Sequence, residues 1–226
     1  ALARPPQFIT FPTPLYILPT LVSYPATAAS PRRLLHHDIK LPPRAALYTD
    51  MSVTLHTTLG PLKLELFCDT APRTTFNFLA LAASGYYDSA PFHRNLRSFM
   101  IQGGDPTGTG KGGKSIWGGT FGDEFHPDNV HDRRGIVSMA NKGTGTNRSQ
   151  FFICYERQPH LNGVHTVFAR VIDGWDTLDQ MERLQVGPRN RPLVPPSIKG
   201  ITIHANPLGE ENIVYMTKDG PPDRVA

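Results

Sequence analysis

The sequence predicts a mainly β fold: a closed antiparallel barrel with a helix over each open end. Three observations predict it. Short alternating stretches recur from Met51 to Ile203, only two stretches show helical periodicity, and long glycine-rich connections separate them. A parallel sheet would need strands and helices in regular alternation, and the sequence has no such repeat.

The first alternating run sets Val53, Leu55 and Thr57 against Ser52, Thr54 and His56. After Thr58-Leu59-Gly60, a second sets Leu62, Leu64 and Leu66 against Lys63, Glu65 and Phe67. Period-two patterns on both sides of a glycine turn predict a β-hairpin with one buried face. Thr70-Ala71-Pro72-Arg73 starts a helix, because proline fits a first turn whose N–H groups have no helical partner anyway. Phe76, Leu79 and Ala83 predict its buried stripe, Phe78 and Ala82 widen it, and Gly85 ends it. In the stretch from Phe92 to Asp105, alternation puts Phe99, Ile101 and Gly103 on one face and Met100 and Gln102 on the other. Further strands are predicted at residues 135–141, 149–154 and 166–171, and a last one over Ile198, Ile201 and Ile203. Trp175, Leu178, Met181 and Leu184 recur every three residues, which predicts a second helix within residues 173–184.

Residues 1–50 carry prolines at 5, 6, 12, 14, 19, 25, 31, 42 and 43, each removing a backbone donor. They are expected to be a disordered extension or a gene-model artefact. Their low acid content and Arg32-Arg33 keep an organellar transit peptide as the alternative. The folded domain is expected over residues 51–206 and a disordered tail over 207–226. The chain's formal charge of +4 sits mostly in the first fifty residues, and the rest carries only +1. A near-neutral body gives no electrostatic case for nucleic-acid binding. No apolar run of the length a transmembrane helix needs is present. Cys68 and Cys154 lack metal-ligand spacing; two free thiols are the favoured reading, with a single disulfide left open.

Two motifs invite a chemical reading. Gly108-Thr109-Gly110-Lys111-Gly112-Gly113-Lys114-Ser115 matches the phosphate-loop pattern letter for letter. That chemistry needs a helix directly after the loop, and Ile116-Trp117-Gly118-Gly119 does not start one. A flexible loop is the expected reading. The second motif is Arg94 among Phe92, Phe99 and Met100, with Gln102 two residues further. A cation in apolar surroundings needs a partner, because burying it alone costs several kcal/mol. Gln150 with Phe152, and Ala140 with Asn141, close two later strands with similar chemistry. One cation, several amides and an apolar patch, without a nucleophile order, carboxylate pair or metal cluster, suit a site that holds a peptide-like ligand and polarises it.

Phe92-His93-Arg94, Phe99-Met100-Ile101-Gln102-Gly103-Gly104-Asp105, Gly113-Lys114-Ser115-Ile116, Ser138-Met139-Ala140-Asn141 and Asn147-Arg148-Ser149-Gln150-Phe151-Phe152-Ile153 resemble the cyclophilin signature, in order, from about Met51 to Asn206. The short loops and Gln158-Pro159-His160-Leu161 resemble the peptidyl-prolyl cis-trans isomerase-like 3 group, whose members associate with the spliceosome. The resemblance implies an eight-stranded closed barrel with two capping helices, and X-Pro isomerisation without cofactor or metal. By motif position it implies Arg94, Gln102 and Asn141 as catalytic residues. Phe99, Met100, Phe152, Leu161 and His165 would line the proline pocket, with His160 also among the substrate-binding residues; Gln102, Asn141 and Gln150 would bond the substrate backbone or orient Arg94, and Gly110 and Ala140 would leave room for residues before proline. It also implies proline-containing peptides and proteins as ligands, spliceosomal proteins as partners, a monomer, and a nuclear and cytoplasmic location, organellar only if residues 1–50 are a genuine transit peptide. A non-catalytic proline-binding scaffold is the alternative function. Many cyclophilins carry Trp where His160 stands, and that indole contacts cyclosporin A, so weak binding of the drug is expected here.

Overall fold

The structure is a computed structural model and describes residues 51–204. The readings of residues 1–50 and of the tail from 207 lie outside that range. Strands β1 (Ser52–Thr57) and β2 (Gly60–Leu66) form the expected hairpin, with Val53 opposite Leu64 and Leu55 opposite Leu62. Then follow α1 (Pro72–Ala83), β3 (Arg94–Leu96), β4 (Met100–Gly103), β5 (Ile136–Met139), β6 (Phe151–Cys154), β7 (Val167–Asp173), α2 (Trp175–Glu182) and β8 (Ile198–Ile203). They make one antiparallel sheet in the order β3-β4-β6-β5-β7-β2-β1-β8.

The expected closure is corrected. β3 and β8 are the two ends of the sheet, and among the described residues no ladder joins them. The sheet is an open half-barrel, not a closed barrel. Its ends meet through the chain before β3 and the start of β8: Pro91 bridges Ser197, Phe92 N–H donates to Pro196 C=O, Ile198 N–H to Ala90 C=O and Ser89 N–H to Ile198 C=O.

Alternation sorts the side chains. Ile101, Val137, Phe151 and Ile153 point into the main core with Leu55, Leu64 and Phe168. Phe78 of α1 sits at its centre, its ring 5.3 Å from Tyr87, 5.5 Å from Phe151 and 5.3 Å from Phe168. Truncating such a ring to Ala typically costs about 3–5 kcal/mol. Leu178 and Met181 of α2 enter the same core.

The expected stripe of α1 holds in part: Phe78, Leu79 and Ala82 are buried, and the rest of the buried face differs. Ala83 is exposed and Phe76 half-buried against Trp117, while Thr74, Thr75 and Asn77 are buried beside Phe78. The polar residues are buried because each is bonded. Asn77 Nδ2 donates to Arg148 C=O and its Oδ1 accepts Ile116 N–H. Thr74 donates to Glu124, whose carboxylate also caps the helix by accepting the N–H groups of Arg73 and Thr74. A pattern of apolar residues alone cannot find a face built this way. Phe99 also changes side. It lies in the turn between β3 and β4, where Ser98 has φ 59°, and it packs with Met100 instead of Ile101.

Candidate active site

Strand register assembles the site. Arg94 is opposite Gln102, Gln102 opposite Phe152, Phe152 opposite Ser138, and Ser138 opposite Val167. Residues in register share one face of a sheet, so this row lies on the side away from the main core. One step along the strands, Leu96, Met100 and Cys154 form a parallel row. Met100, Phe152, Cys154, Val167 and Leu161 make a second apolar cluster, edged by Phe99 and Ala140.

Arg94 borders this floor. Its Nη1 donates to Gln102 Oε1 at 3.4 Å. Gln102 Nε2 donates to Gln150 Oε1 at 2.9 Å, and Gln150 Nε2 donates to Gly112 C=O at 2.8 Å. The relay has a direction. A backbone carbonyl only accepts, so Gln150 must present its nitrogen to Gly112 and its oxygen to Gln102. Gln102 in turn must present its oxygen to Arg94. Four guanidinium N–H groups then remain for a ligand.

The other expected residues fall as follows. Leu161 is buried in the second cluster, on a short 3-10 turn (Pro159–Leu161). His160 is exposed and stacks on Phe99 at 5.9 Å. His165 stands edge-on to Phe152 at 5.3 Å, and its Nδ1 donates to Met139 C=O at 3.0 Å. Burial lowers its pKa most, and nearby His160 adds to this, against the Met139 bond and Asp123, which raise it. Ala140 N–H donates to Gln150 C=O, which brings Ala140 beside the relay. Gly110 has φ 78° and lies against the His93 ring. Asn141 Nδ2 donates to Val164 C=O at 2.8 Å, and the amides in contact with Arg94 or with its partner are Gln102 and Gln150. Beside Gly112 opens a cleft of about 430 Å³ lined by Tyr86, Thr107, Lys114 and Arg148. Both cysteines are free and buried; burial above all pushes their thiols up, to about 11 for Cys68 and about 12 for Cys154.

Sequence reasoning missed His131, Ser138 and Asn162. His131 Nε2 is 2.7 Å from Ser138 Oγ, and its Nδ1 is 2.9 Å from Asn162 Oδ1. This is the outline of a nucleophile, a base and an orienting group. It cannot work as one, because Ser138 and His131 are both 0% exposed and no carbonyl can reach the hydroxyl. His131 lies 7 residues from Ser138 and 31 from Asn162, and it meets them through the connection into β5 and through a turn.

The face can therefore receive an apolar ring and aim hydrogen-bond donors beside it, with no accessible nucleophile–base pair among the described residues. That is the equipment of a peptide-binding isomerase. The profile of the family "Cyclophilin type peptidyl-prolyl cis-trans isomerase/CLD" matches residues 52–203. Peptidyl-prolyl cis-trans isomerase CYP18-1 of Arabidopsis thaliana is 60% identical over 158 residues, 70% of this chain and 99% of that one. Peptidyl-prolyl cis-trans isomerase-like 3 of Homo sapiens is 57% identical over 161 residues, 71% of this chain and 100% of that one. Among solved structures, a Cryptosporidium parvum cyclophilin-type isomerase in the presence of the dipeptide Ala-Pro superposes with a TM-score of 0.67. It is 50% identical, covering 69% of this chain and 99% of that one. The chain belongs to the cyclophilin-type peptidyl-prolyl cis-trans isomerases, enzymes that exchange the cis and trans forms of X-Pro peptide bonds.

Proposed function

We propose that Arg94 is the catalytic group and that the proline ring of a peptide sits on Met100, Phe152 and Leu161, between Phe99 and His165. The observation that carries this is the amide relay, which orients Gln102 toward Arg94 at the edge of the apolar floor. Twisting an X-Pro bond breaks amide resonance, at about 18–20 kcal/mol for an ordinary peptide bond. Uncatalysed exchange takes on the order of tens to hundreds of seconds. Reaching milliseconds requires about 10⁵-fold, or roughly 7 kcal/mol. In the twisted state the proline nitrogen regains a lone pair, and a guanidinium N–H can donate to it. One charge-assisted hydrogen bond gives about 1.5–3 kcal/mol. Orientation of Arg94 by Gln102 and Gln150, anchoring by the main chain of Asn141 and the ring held in its pocket supply the remainder.

Lys114 and Arg148 in the adjoining cleft, and exposed Lys142 on the loop after Asn141, favour acidic residues flanking proline. A panel of X-Pro peptides should show higher kcat/KM for Glu than for Lys near proline, and a flat panel would remove this preference. We assign the physiological clients to proteins of pre-mRNA splicing complexes in the nucleus. The support is the resemblance to the isomerase-like 3 group and 57% identity to its human member. Co-sedimentation with small nuclear ribonucleoproteins is the expected result, and a tagged full chain absent from the nucleus would overturn it. Arg94→Ala separates catalysis from scaffolding: exchange should collapse, and intact complex assembly in its absence would make the scaffold reading the better one.

A further inference from the structure

His131 lies in the connection leading to β5, and its side chain is fully buried. Its ring lies parallel to Phe152, with 9° between the planes and 6.2 Å between centroids. Its hydrogen bonds fix its tautomer. Asn162 Oδ1 accepts the backbone N–H of His131, so that atom is the amide oxygen. The same oxygen faces His131 Nδ1 at 2.9 Å, so Nδ1 carries the proton and donates. Nε2 is then an acceptor, and Ser138 Oγ donates to it at 2.7 Å. Burial keeps the ring neutral.

These contacts tie the connection before β5 to β5 itself, 7 residues on, and to the turn at Asn162, 31 residues on. Asn162 directly follows Leu161, and Gln158 N–H at the start of the same turn donates to His131 C=O at 2.9 Å. Ser138 lies on β5, in register with Phe152 on β6. One face of the His131 ring therefore backs Phe152, one nitrogen holds the turn that carries Leu161, and the other nitrogen holds the sheet.

We propose that His131 is a positioning residue of the isomerase: it fixes the plane of Phe152 and the spacing between Phe152 and Leu161. The inference rests on the assignment of those two residues to the proline pocket. A pocket for a five-membered ring loses affinity when one wall tilts or withdraws, because dispersion contacts fall off steeply with a small gap. Loss of the strut should therefore appear in KM more than in kcat, since Arg94 and its amide relay are untouched.

Asn162 is exposed, so Asn162→Ala removes the acceptor without opening the core, and Asn162→Asp keeps an acceptor oxygen. The full chain would be assayed for kcat and KM on an X-Pro peptide, and the Phe152 ring resonances followed by NMR in ¹³C-Phe-labelled protein. Asn162→Ala should raise KM about 5–150-fold, the loss of two net hydrogen bonds, with kcat retained. It should shift the Phe152 signals, and Asn162→Asp should restore both. His131→Phe, which keeps a stacked ring but drops both tethers, should raise KM in the same way; if it does not fold, the Asn162 pair decides. Unchanged KM and unchanged Phe152 signals in Asn162→Ala overturn the proposal, as does a KM rise that Asn162→Asp leaves in place. Phe152 signals that move while KM stays constant would instead show a working strut beside a pocket wrongly assigned to proline, and the proposal would fall with that assignment.

Discussion

Replacing Gln102 by Leu tests whether the amide relay acts through Arg94. Gln102 Oε1 accepts from Arg94 Nη1 at 3.4 Å, and Nε2 donates to Gln150 at 2.9 Å. Leu keeps similar bulk and removes both. The Arg94 contact is long, so its worth lies at the low end for a charged hydrogen bond, about 1.5 kcal/mol. That predicts a loss of about tenfold in kcat/KM. Gln150 is buried and would keep an oxygen without a donor, at about 1–3 kcal/mol of stability or roughly 2–12 °C in Tm. The assay is cis-to-trans exchange of an X-Pro peptide by NMR, well below every melting point, in wild type, Gln102→Leu, Arg94→Ala and the double variant. Arg94→Ala alone should lose about 10–150-fold. If Gln102 works by orienting Arg94, adding Gln102→Leu to Arg94→Ala should cost almost nothing further, a coupling of about 1.5 kcal/mol. A second tenfold loss in the Arg94→Ala background would refute this reasoning and make Gln102 a direct ligand of the substrate.

Two further outcomes are expected. His160→Trp should tighten cyclosporin A while leaving X-Pro exchange intact, because His160 is exposed and stacks on Phe99 at the pocket edge; equal inhibition of both proteins would contradict it. Stability should fall as pH drops below about 6.5, the ordinary histidine value, because burial chiefly lowers the pKa of His93, His131 and His165, so the unfolded chain binds protons that the folded one refuses. Thermal melts between about pH 8 and pH 5 should show Tm falling only on the acid side, and a flat profile there would count against the buried neutral rings.

The parts of the fold that were legible are those set by local period. The hairpin β1–β2 follows from alternation, and the strands β4 to β8 follow from short apolar runs bounded by turn residues, while the meeting of Arg94 with Gln102 depends on the β3–β4 ladder. The parts that were not legible depend on distant partners. β3 is three residues long, and only its ladder to β4 separates it from the preceding loop. Phe99 changes face because Ser98 adopts a left-handed turn that an alternating pattern cannot show. The true face of α1 contains Thr74 and Asn77, whose burial makes sense only once Glu124, Arg148 and Ile116 are in place. Closure of the sheet depends on accumulated twist and on which edges meet, which no single stretch encodes. Resemblance placed Gln150 and Phe152 in the site; only the structure shows the direction of the relay and the ring behind Phe152.

The glycine-rich loop shows why a phosphate-loop pattern can occur without a phosphate site. Such a site needs backbone N–H groups converging on an anion. Here they converge on the chain's own Asp105. Its carboxylate accepts the N–H groups of Thr107 at 2.9 Å, Gly110 at 2.8 Å and Gly112 at 3.1 Å, with the Thr107 hydroxyl at 2.7 Å. Burial alone would raise the pKa of this carboxyl, and the hydrogen bonds from Thr107, Gly112 and Gly110 overcome that and hold it below the usual range. A Cβ on Gly112 would collide with the same carboxylate, so glycine is needed for the approach. The loop wrapped in this way turns the Gly112 carbonyl outward, onto Gln150. Asp105 is thereby the far end of the chain of contacts that runs through Gln150 and Gln102 to Arg94. Asp105→Ala should leave ATP binding absent and release the loop, at about 0.5–1.5 kcal/mol for each hydrogen bond lost from this half-exposed segment. It should also lower kcat/KM by about the tenfold expected of Gln102→Leu, since the relay would lose its fixed carbonyl. Full activity in a folded Asp105→Ala protein would show that Gln150 orients Gln102 without the loop, and a bound nucleotide would restore the reading that the letters of the motif suggest.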